Sequence, residues 1–322
     1  MNAIVQDAYG TTDVLELAEI EKPAVERDEV LVRVRSAGVH IGDWLVMGGL
    51  PYIIRIMGYG LRKPKNRNPG LEVAGTVEAV GADVKLLQPG DEVFGWCTAA
   101  FAEYVSVSAD ALVLKPANVT FEQAAAVPVS AFTALQAVRD KGEVVPGQKV
   151  LVIGASGGVG TFAVQIAKAY GAEVTGVSST RNLDMVRSIG ADHVIDYTRE
   201  DIAAEGDGYD VIVDTAGNRS LSHLRSALAP RGTLVIVGGS GGRWMMGSGR
   251  SLRATMLTPF VRHRLRTFIS TQNRDDLVAL KDLIEAGEVT PVIDRNFTLS
   301  ETPDAVAYVG ERHTQGKVVI TI

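Results

Sequence analysis

The segment Leu151-Val-Ile-Gly-Ala-Ser-Gly-Gly-Val-Gly160 sets an apolar run against a glycine-spaced turn, and Thr161 to Tyr170 continue with helical periodicity. Strand, tight turn and helix N-terminus in that order make an anion site, because unpaired N–H groups and the positive end of a helix dipole converge there. Ala155, Gly157 and Gly160 occupy the three small positions of the dinucleotide fingerprint. The first serves the turn, the second lets backbone approach a pyrophosphate, and the third allows helix-on-strand packing. The main-chain amides that would receive coenzyme phosphates begin at Ser156. A bare glycine pattern also fits any tight strand-to-helix connection, so the flanking elements decide.

About twenty residues beyond the glycines, an NAD-binding chain usually carries Asp or Glu for the ribose 2′-hydroxyl. Ser178-Ser179-Thr180-Arg181 holds no carboxylate at that place. Ser179 can donate a hydrogen bond and Arg181 can pair with phosphate oxygens, so NADPH is expected over NADH. The alternative is an Arg181 that is merely solvated in the first turn of the next helix.

The elements that must position these residues alternate. Gly171-Ala172 stops the helix and Glu173 to Val177 reads as the next strand, completing a βαβ unit of about thirty residues. A helix from Leu183 to Ile189 follows, with strands at His193–Asp196, Tyr209–Asp214 and Gly232–Gly238. This is the pattern of an α/β, doubly wound parallel sheet of Rossmann type. Upstream, from Met1 to about Thr120, short alternating runs such as Glu29–Arg35 and Ala74–Val80 are separated by turns such as Gln88-Pro-Gly-Asp91, which predicts an antiparallel β domain. The alanine-rich stretch Phe121 to Arg139 is a helix interrupted at Pro128. After a glycine-rich tract, Gly238 to Gly249, come an edge strand over Arg266–Ser270 and a helix over Asp275–Gly287, with Leu277, Leu280, Leu283 and Ile284 on one face. Val292-Ile293 and Lys317–Ile320 return to β character and rejoin the first domain. The expected division is 1–121 with 273–322, and 122–272.

With 322 residues, 46% of them hydrophobic and 22% charged, the chain can bury a large core in two domains. A net charge of −6 argues against nucleic acid as a partner. The single cysteine, Cys97, excludes an intrachain disulfide and a cysteine-rich zinc site, and reads as a small buried hydrophobe. The N-terminal residues show neither a signal nor a transit pattern, and no apolar run is long enough to span a bilayer, so a cytoplasmic protein without stable membrane insertion is expected. Apolar segments at Leu50–Met57 and around Trp244-Met-Met246, Leu252, Met256, Leu257 and Phe260 read either as the wall of a lipophilic pocket or as ordinary core and surface. Arg250, Arg253, Arg262, Arg264 and Arg266 form a basic cluster, most simply a solvated face.

Taken together, Asp28-Glu-Val-Leu-Val-Arg-Val34, Gly75-Thr-Val-Glu-Ala-Val-Gly81, Pro89-Gly-Asp-Glu-Val-Phe-Gly95, Phe101-Ala-Glu-Tyr-Val105, Ala124-Ala-Ala-Val-Pro128, the glycine turn, Gly190-Ala-Asp-His-Val-Ile-Asp-Tyr197 and Gly316-Lys-Val-Val319 run the length of the chain. In these motifs it resembles the zinc-independent quinone oxidoreductase, zeta-crystallin-like branch of the medium-chain dehydrogenase/reductase superfamily. The resemblance implies a GroES-like β domain beside a Rossmann domain, with the nicotinamide in a cleft and hydride passing from NADPH to a quinone or an activated alkene. It also implies pyrophosphate amides at Gly157, Gly158 and Val159, a tyrosine near the 2′-phosphate at Tyr197 and a threonine near the nicotinamide at Thr133. Cofactor-contacting stretches fall at Asn218, Gly238, Gly239 and Lys317. Where zinc-dependent relatives carry a catalytic cysteine and a Gly-His-Glu triplet, this chain has His40 after Gly38-Val39 and Leu71 within Gly70-Leu-Glu72. His40 and Glu72 alone fall short of the three protein ligands of a catalytic zinc, so no metal is expected.

Metal-free relatives often carry asparagine where His40 stands. Histidine there can donate a hydrogen bond to a substrate carbonyl, deliver the proton that completes reduction, or only prop a loop. Asp43 either orients His40 or caps a turn, and Tyr52 either lines the substrate pocket or packs. The expected partners are a small quinone or enone and a second copy of the chain, paired through the edge strand. Two other functions stay open: an NADPH-binding redox sensor without turnover and, on a weaker footing, a zinc-type alcohol dehydrogenase.

Overall fold

The computed structural model describes residues 1–202, 208–237, 248–258 and 261–322. An antiparallel pair, β1 (Asn2–Gln6) and β2 (Leu15–Glu19), precedes β3 (Glu29–Val39), in which alternate residues Val30, Val32 and Val34 are buried. Helices α1 (Ile41–Met47) and α2 (Tyr52–Ile54) lead to β4 (Glu72–Val80), antiparallel to β3 and to β5 (Glu92–Trp96). β6 (Tyr104–Ser108) pairs with β3, and β7 (Leu112–Leu114) with β5. Hydrogen-bonded ladders on both edges of β3 let its apolar face close over a core that includes Phe101, Leu112 and Ile320.

The alanine-rich stretch is two helices, α3 (Phe121–Ala125) and α4 (Pro128–Leu135), and then a π-type turn over Gln136–Lys141. A capping box starts α3: Gln123 N–H donates to Thr120 Oγ1 at 3.2 Å and Thr120 N–H to Gln123 Oε1 at 3.1 Å. Pro128 has no N–H for the ladder and takes the first position of α4.

The middle of the chain alternates β8 (Lys149–Ile153), α5 (Gly158–Ala169), β9 (Glu173–Ser178), α6 (Leu183–Ser188), β10 (His193–Asp196), β11 (Tyr209–Asp214), α7 (Leu221–Ser226), β12 (Leu228–Ile236), α8 (Ser248–Leu257) and β13 (Arg264–Thr267). The six strands among the described residues pair in parallel, in the order β10-β9-β8-β11-β12-β13. Strand order reverses between β8 and β11, the place where doubly wound sheets take their ligands, beyond the strands' carboxyl ends. The edge strand is Arg264–Thr267 and not Arg266–Ser270, because Thr233 to Ile236 of β12 pair with Arg264 to Thr267. Ser270 instead accepts a hydrogen bond from Thr133 Oγ1 at 3.0 Å. The strand expected over Gly232–Gly238 starts earlier, at Leu228, and ends at Ile236.

The tail comprises α9 (Arg274–Glu285), β14 (Ile293–Thr298), α10 (Thr302–Gly310) and β15 (Lys317–Thr321). Asn273 caps α9 by accepting from Asp276 N–H at 2.8 Å, and Leu277, Leu280 and Ile284 are its buried apolar residues. β15 lies parallel to β14 and antiparallel to β3, completing the order β14-β15-β3-β4-β5-β7 with β6 also on β3. By packing, residues 1–132, 272–286 and 291–322 form one compact unit, and 133–271 with 287–290 the other.

The glycine turn is built one residue earlier than the fingerprint spacing predicts. Gly154 takes the left-handed conformation, with φ +80°, while Ala155 is fully buried. A Cβ on Gly160 would overlap the Gly154 carbonyl oxygen and lie 2.8 Å from Ala155 Cα, so α5 sits on the end of β8 only if residue 160 is glycine. A Cβ on Gly157 would meet only that same oxygen, at 3.5 Å. Gly160→Ala is therefore expected to lower the unfolding free energy by about 3 kcal/mol, the upper end of overpacking, and Gly157→Ala by less than about 1 kcal/mol. Urea denaturation of the two variants checks the contrast.

Candidate active site

Register brings the first set of candidate residues to one end of the antiparallel sheet. Gly38 pairs with Glu72 and Val39 with Val318, so the chain leaving β3 at His40 emerges beside the starts of β4 and β15. There Lys317 Nζ donates to Glu72 Oε2 at 2.5 Å, with both side chains essentially out of solvent. Glu72 Oε1 accepts from Val129 N–H at 2.8 Å, so the carboxylate is held by a cation and by the first turn of α4. Cys97 follows β5 in the same neighbourhood. Burial pushes its thiol up to about 12, and the nearby Asp43 and Glu72 carboxylates push the same way, so it is not a reactive thiolate.

His40 caps α1. Its Nδ1 accepts from Gly42 N–H at 2.8 Å, and its own N–H donates to Asp43 Oδ2 at 2.9 Å. A ring nitrogen that accepts carries no proton, so the proton of the neutral ring is on Nε2. Nε2 is buried and has no hydrogen-bond partner among the described residues; Asp43 Oδ2 lies 3.7 Å from it, beyond hydrogen-bonding range. Burial pushes His40 down to about 4, against the pull of Glu72 and with the help of Lys317. Burial likewise raises Asp43 to about 7, opposed chiefly by the hydrogen bond from His40 N–H. At neutral pH the imidazole is uncharged: it has a hydrogen bond to donate but no second proton to release.

Tyr52 belongs to another cluster. The Arg55 guanidinium lies 4.9 Å from the centre of its ring and 4.4 Å from that of Tyr9, and Arg55 Nε donates to Gly49 O at 2.8 Å. Nearby Ile53, Ile56, Tyr59 and Leu61 expose apolar surface.

In the other unit, Gly157 is the N-cap of α5 and no side chain caps the first N–H groups of the helix, which suits an anionic diphosphate. Ser156 Oγ accepts from Asn182 Nδ2 at 2.9 Å. Ser178 pairs with Asp196 across β9 and β10, which brings Ser179, the exposed Arg181 and the half-exposed Tyr197 to the same strand ends. Asn218 is exposed just beyond β11. Gly238, Gly239, Trp244, Met245, Met246 and Phe260 lie outside the described residues.

Two carboxylates escape a search restricted to the end of β9. Asp196 is buried and accepts from the hydroxyls of Thr180 and Thr198 and, at 3.0 Å, from Thr198 N–H, which holds it below the usual carboxylate range. Asp214, at the end of β11, accepts from Gly217 N–H at 3.1 Å and from the Arg250 guanidinium, whose Nε and Nη1 are buried without partners among the described residues. The signal available in sequence was an acid closing each apolar strand. Among the described residues no three His, Cys, Asp or Glu gather as a metal site, and no helix is long and apolar enough to cross a membrane.

His40 and Asp43 act on stability with opposite signs. His40, about 4 in the fold against an ordinary 6.5, binds fewer protons folded than unfolded between those values, so its contribution is lost as pH falls. Asp43, about 7 against 3.8, binds more protons folded than unfolded, so its contribution is lost as pH rises through about 7. His40→Asn removes the first effect and leaves the second. Relative to the parent, the variant is expected to gain roughly 1–2 kcal/mol as pH falls from neutrality towards 4.5, read from urea midpoints at each pH.

Residues 26–117 match the family model for the alcohol dehydrogenase GroES-like domain, and residues 189–320 that for zinc-binding dehydrogenase. The chain is 35% identical to the chloroplastic NADPH-dependent alkenal/one oxidoreductase of Arabidopsis thaliana, over 99% of this chain and 79% of the relative. It is 31% identical to the chloroplastic quinone-oxidoreductase QR1 of Triphysaria versicolor, over 99% of this chain and 98% of the relative. The solved structure of Escherichia coli quinone oxidoreductase complexed with NADPH superposes over the full length of both chains, with a TM-score of 0.84 at 25% identity. With likeness in sequence and fold running end to end, the chain belongs to the quinone oxidoreductase and alkenal reductase branch of the medium-chain dehydrogenase/reductase superfamily, a family of NAD(P)H-dependent oxidoreductases.

Proposed function

We propose that this chain is an NADPH-preferring reductase that converts a quinone or an α,β-unsaturated carbonyl. The observation that carries this reading is the buried neutral imidazole of His40, whose Nε2–H has no acceptor among the described residues. Reduction of a conjugated carbonyl builds negative charge on its oxygen, and a fixed N–H donor in a dry setting stabilises that charge without reorganising. The activities for which the alkenal/one and quinone relatives are named support the same class of acceptor.

Ser156, Gly158 and Val159 would offer main-chain amides to the pyrophosphate, since the first turn of α5 is uncapped; the Gly157 N–H already donates to Gly154 O at 3.0 Å, and Gly157 serves by leaving the approach open. Ser179, Arg181 and Tyr197 would hold the 2′-phosphate, and Thr133 and Asn218 the nicotinamide end. Asp196 is buried and its oxygens are engaged by Thr180 and Thr198, so they are not presented to a ligand at the strand ends. When bound, NADPH supplies the hydride equivalent. His40 holds the carbonyl oxygen and Asp43 holds His40 through its backbone N–H. Lys317, paired with Glu72, keeps that end of the sheet together.

Calorimetry with both coenzymes and a panel of ortho-quinones, para-quinones and enones tests the reading. Arg181→Ala is expected to weaken NADPH binding by about tenfold or more while leaving NADH little changed. Equal or tighter binding of NADH by the parent chain would overturn the phosphate assignment. Tight NADPH binding without consumption across the whole panel would make the protein a sensor. β13 pairs only with β12 among the described residues, so its outer edge supports a homodimer formed strand to strand. Light scattering is expected to give twice the mass of 34.3 kDa, and a monomer at micromolar concentration would refute the pairing.

A further inference from the structure

We propose that Gly42 is the positioning residue that locks His40 in its Nε2–H tautomer. The lock is made of main chain. Gly42 N–H donates to His40 Nδ1 at 2.8 Å, so a proton on Nδ1 would set two donors face to face. Asp43, the carboxylate that would ordinarily take an Nδ1 proton, is occupied by His40 N–H at 2.9 Å. Every route to a protonated Nδ1, in the other neutral tautomer or in the imidazolium, therefore breaks the start of α1. The titratable groups facing the ring are Asp43, Glu72 and Lys317, and the last two neutralise each other in their own ion pair.

The seat also has a shape. A Cβ on residue 42 would overlap His40 Cε1 and stand 2.6 Å from Nδ1, so any other residue there displaces the imidazole. Gly42 thus supplies both the hydrogen bond that chooses the tautomer and the space that lets the ring lie against the helix start. The consequence is a donor pinned at one atom, Nε2, with its side chain nine-tenths buried. That consequence rests on the proposed role of His40 toward a carbonyl oxygen, whereas the lock itself does not.

The chain has five histidines, so nitrogen-15 spectra of histidine-labelled protein, assigned by loss of one set of signals in His40→Asn, read the tautomer directly. The expected result is an unprotonated Nδ1, a protonated Nε2 and no titration between about pH 5 and pH 8. Gly42→Ala should move His40 to mixed tautomers or bring its titration into that window. It should also lower kcat/KM for an enone about tenfold, with the NADPH dissociation constant unchanged. In a His40→Ala background the same change should add little, because no side-chain atom beyond Cβ remains to meet the new methyl. A protonated Nδ1 in the parent chain, or titration near the ordinary 6.5, overturns the lock even if Gly42→Ala fails to fold. Full turnover by His40→Asn, with the tautomer as expected in the parent, would instead leave the lock standing and remove the carbonyl role.

Discussion

The antiparallel unit is organised around one buried ion pair. Glu72 and Lys317 stand 245 residues apart in sequence and meet at 2.5 Å with almost no solvent. Either charge left alone there would be uncompensated in a poor dielectric, a penalty on the order of several kcal/mol, so β4 and the last strand of the chain are obliged to stay together. The second carboxylate oxygen takes Val129 N–H and draws in the first turn of α4. Three distant segments are thereby fixed at one point, and the register of β3 delivers His40 to it.

Neutrality is what that point offers chemically. Lys317 and Glu72 cancel within their own pair, burial keeps the imidazole uncharged, and burial also holds back ionisation of Asp43. The same solvent exclusion that penalises a bare charge strengthens a properly directed hydrogen bond, so a neutral donor is the effective group in such a place. An Asn at this position would share with the His found here the capacity to donate one hydrogen bond from a short side chain on a loop leaving β3.

The parallel unit solves a different problem, how to bring backbone close to phosphate. Gly154 turns the chain with a positive φ, and Gly160 lets the start of α5 rest on that turn. Acids that close the strands are turned to structural use: Asp196 on two threonines and Asp214 on Gly217 and Arg250. Ser179, Arg181 and Tyr197 remain at the strand ends, two of them well exposed to solvent.

Local pattern determined much of this. Period-two runs, continuous apolar strands, the glycine turn and helix stops depend on neighbours in the chain, so the antiparallel and parallel units and the residues around the turn were legible without coordinates. The turn was misplaced by one residue, at Ala155 and not Gly154, because a left-handed φ is not implied by spacing alone. The edge strand was placed two residues late, since its limits come from the β12 register and not from its own side chains. What the tertiary structure alone decided is the company each polar group keeps: Lys317 with Glu72, Asp196 with two threonines, Tyr52 with Arg55, and His40 with the Gly42 amide. A side chain's charge and tautomer depend on the dielectric and the donors within a few ångströms of it. Those are assembled from residues far apart in the chain, so sequence could nominate His40 but not say which of its nitrogens carries the proton.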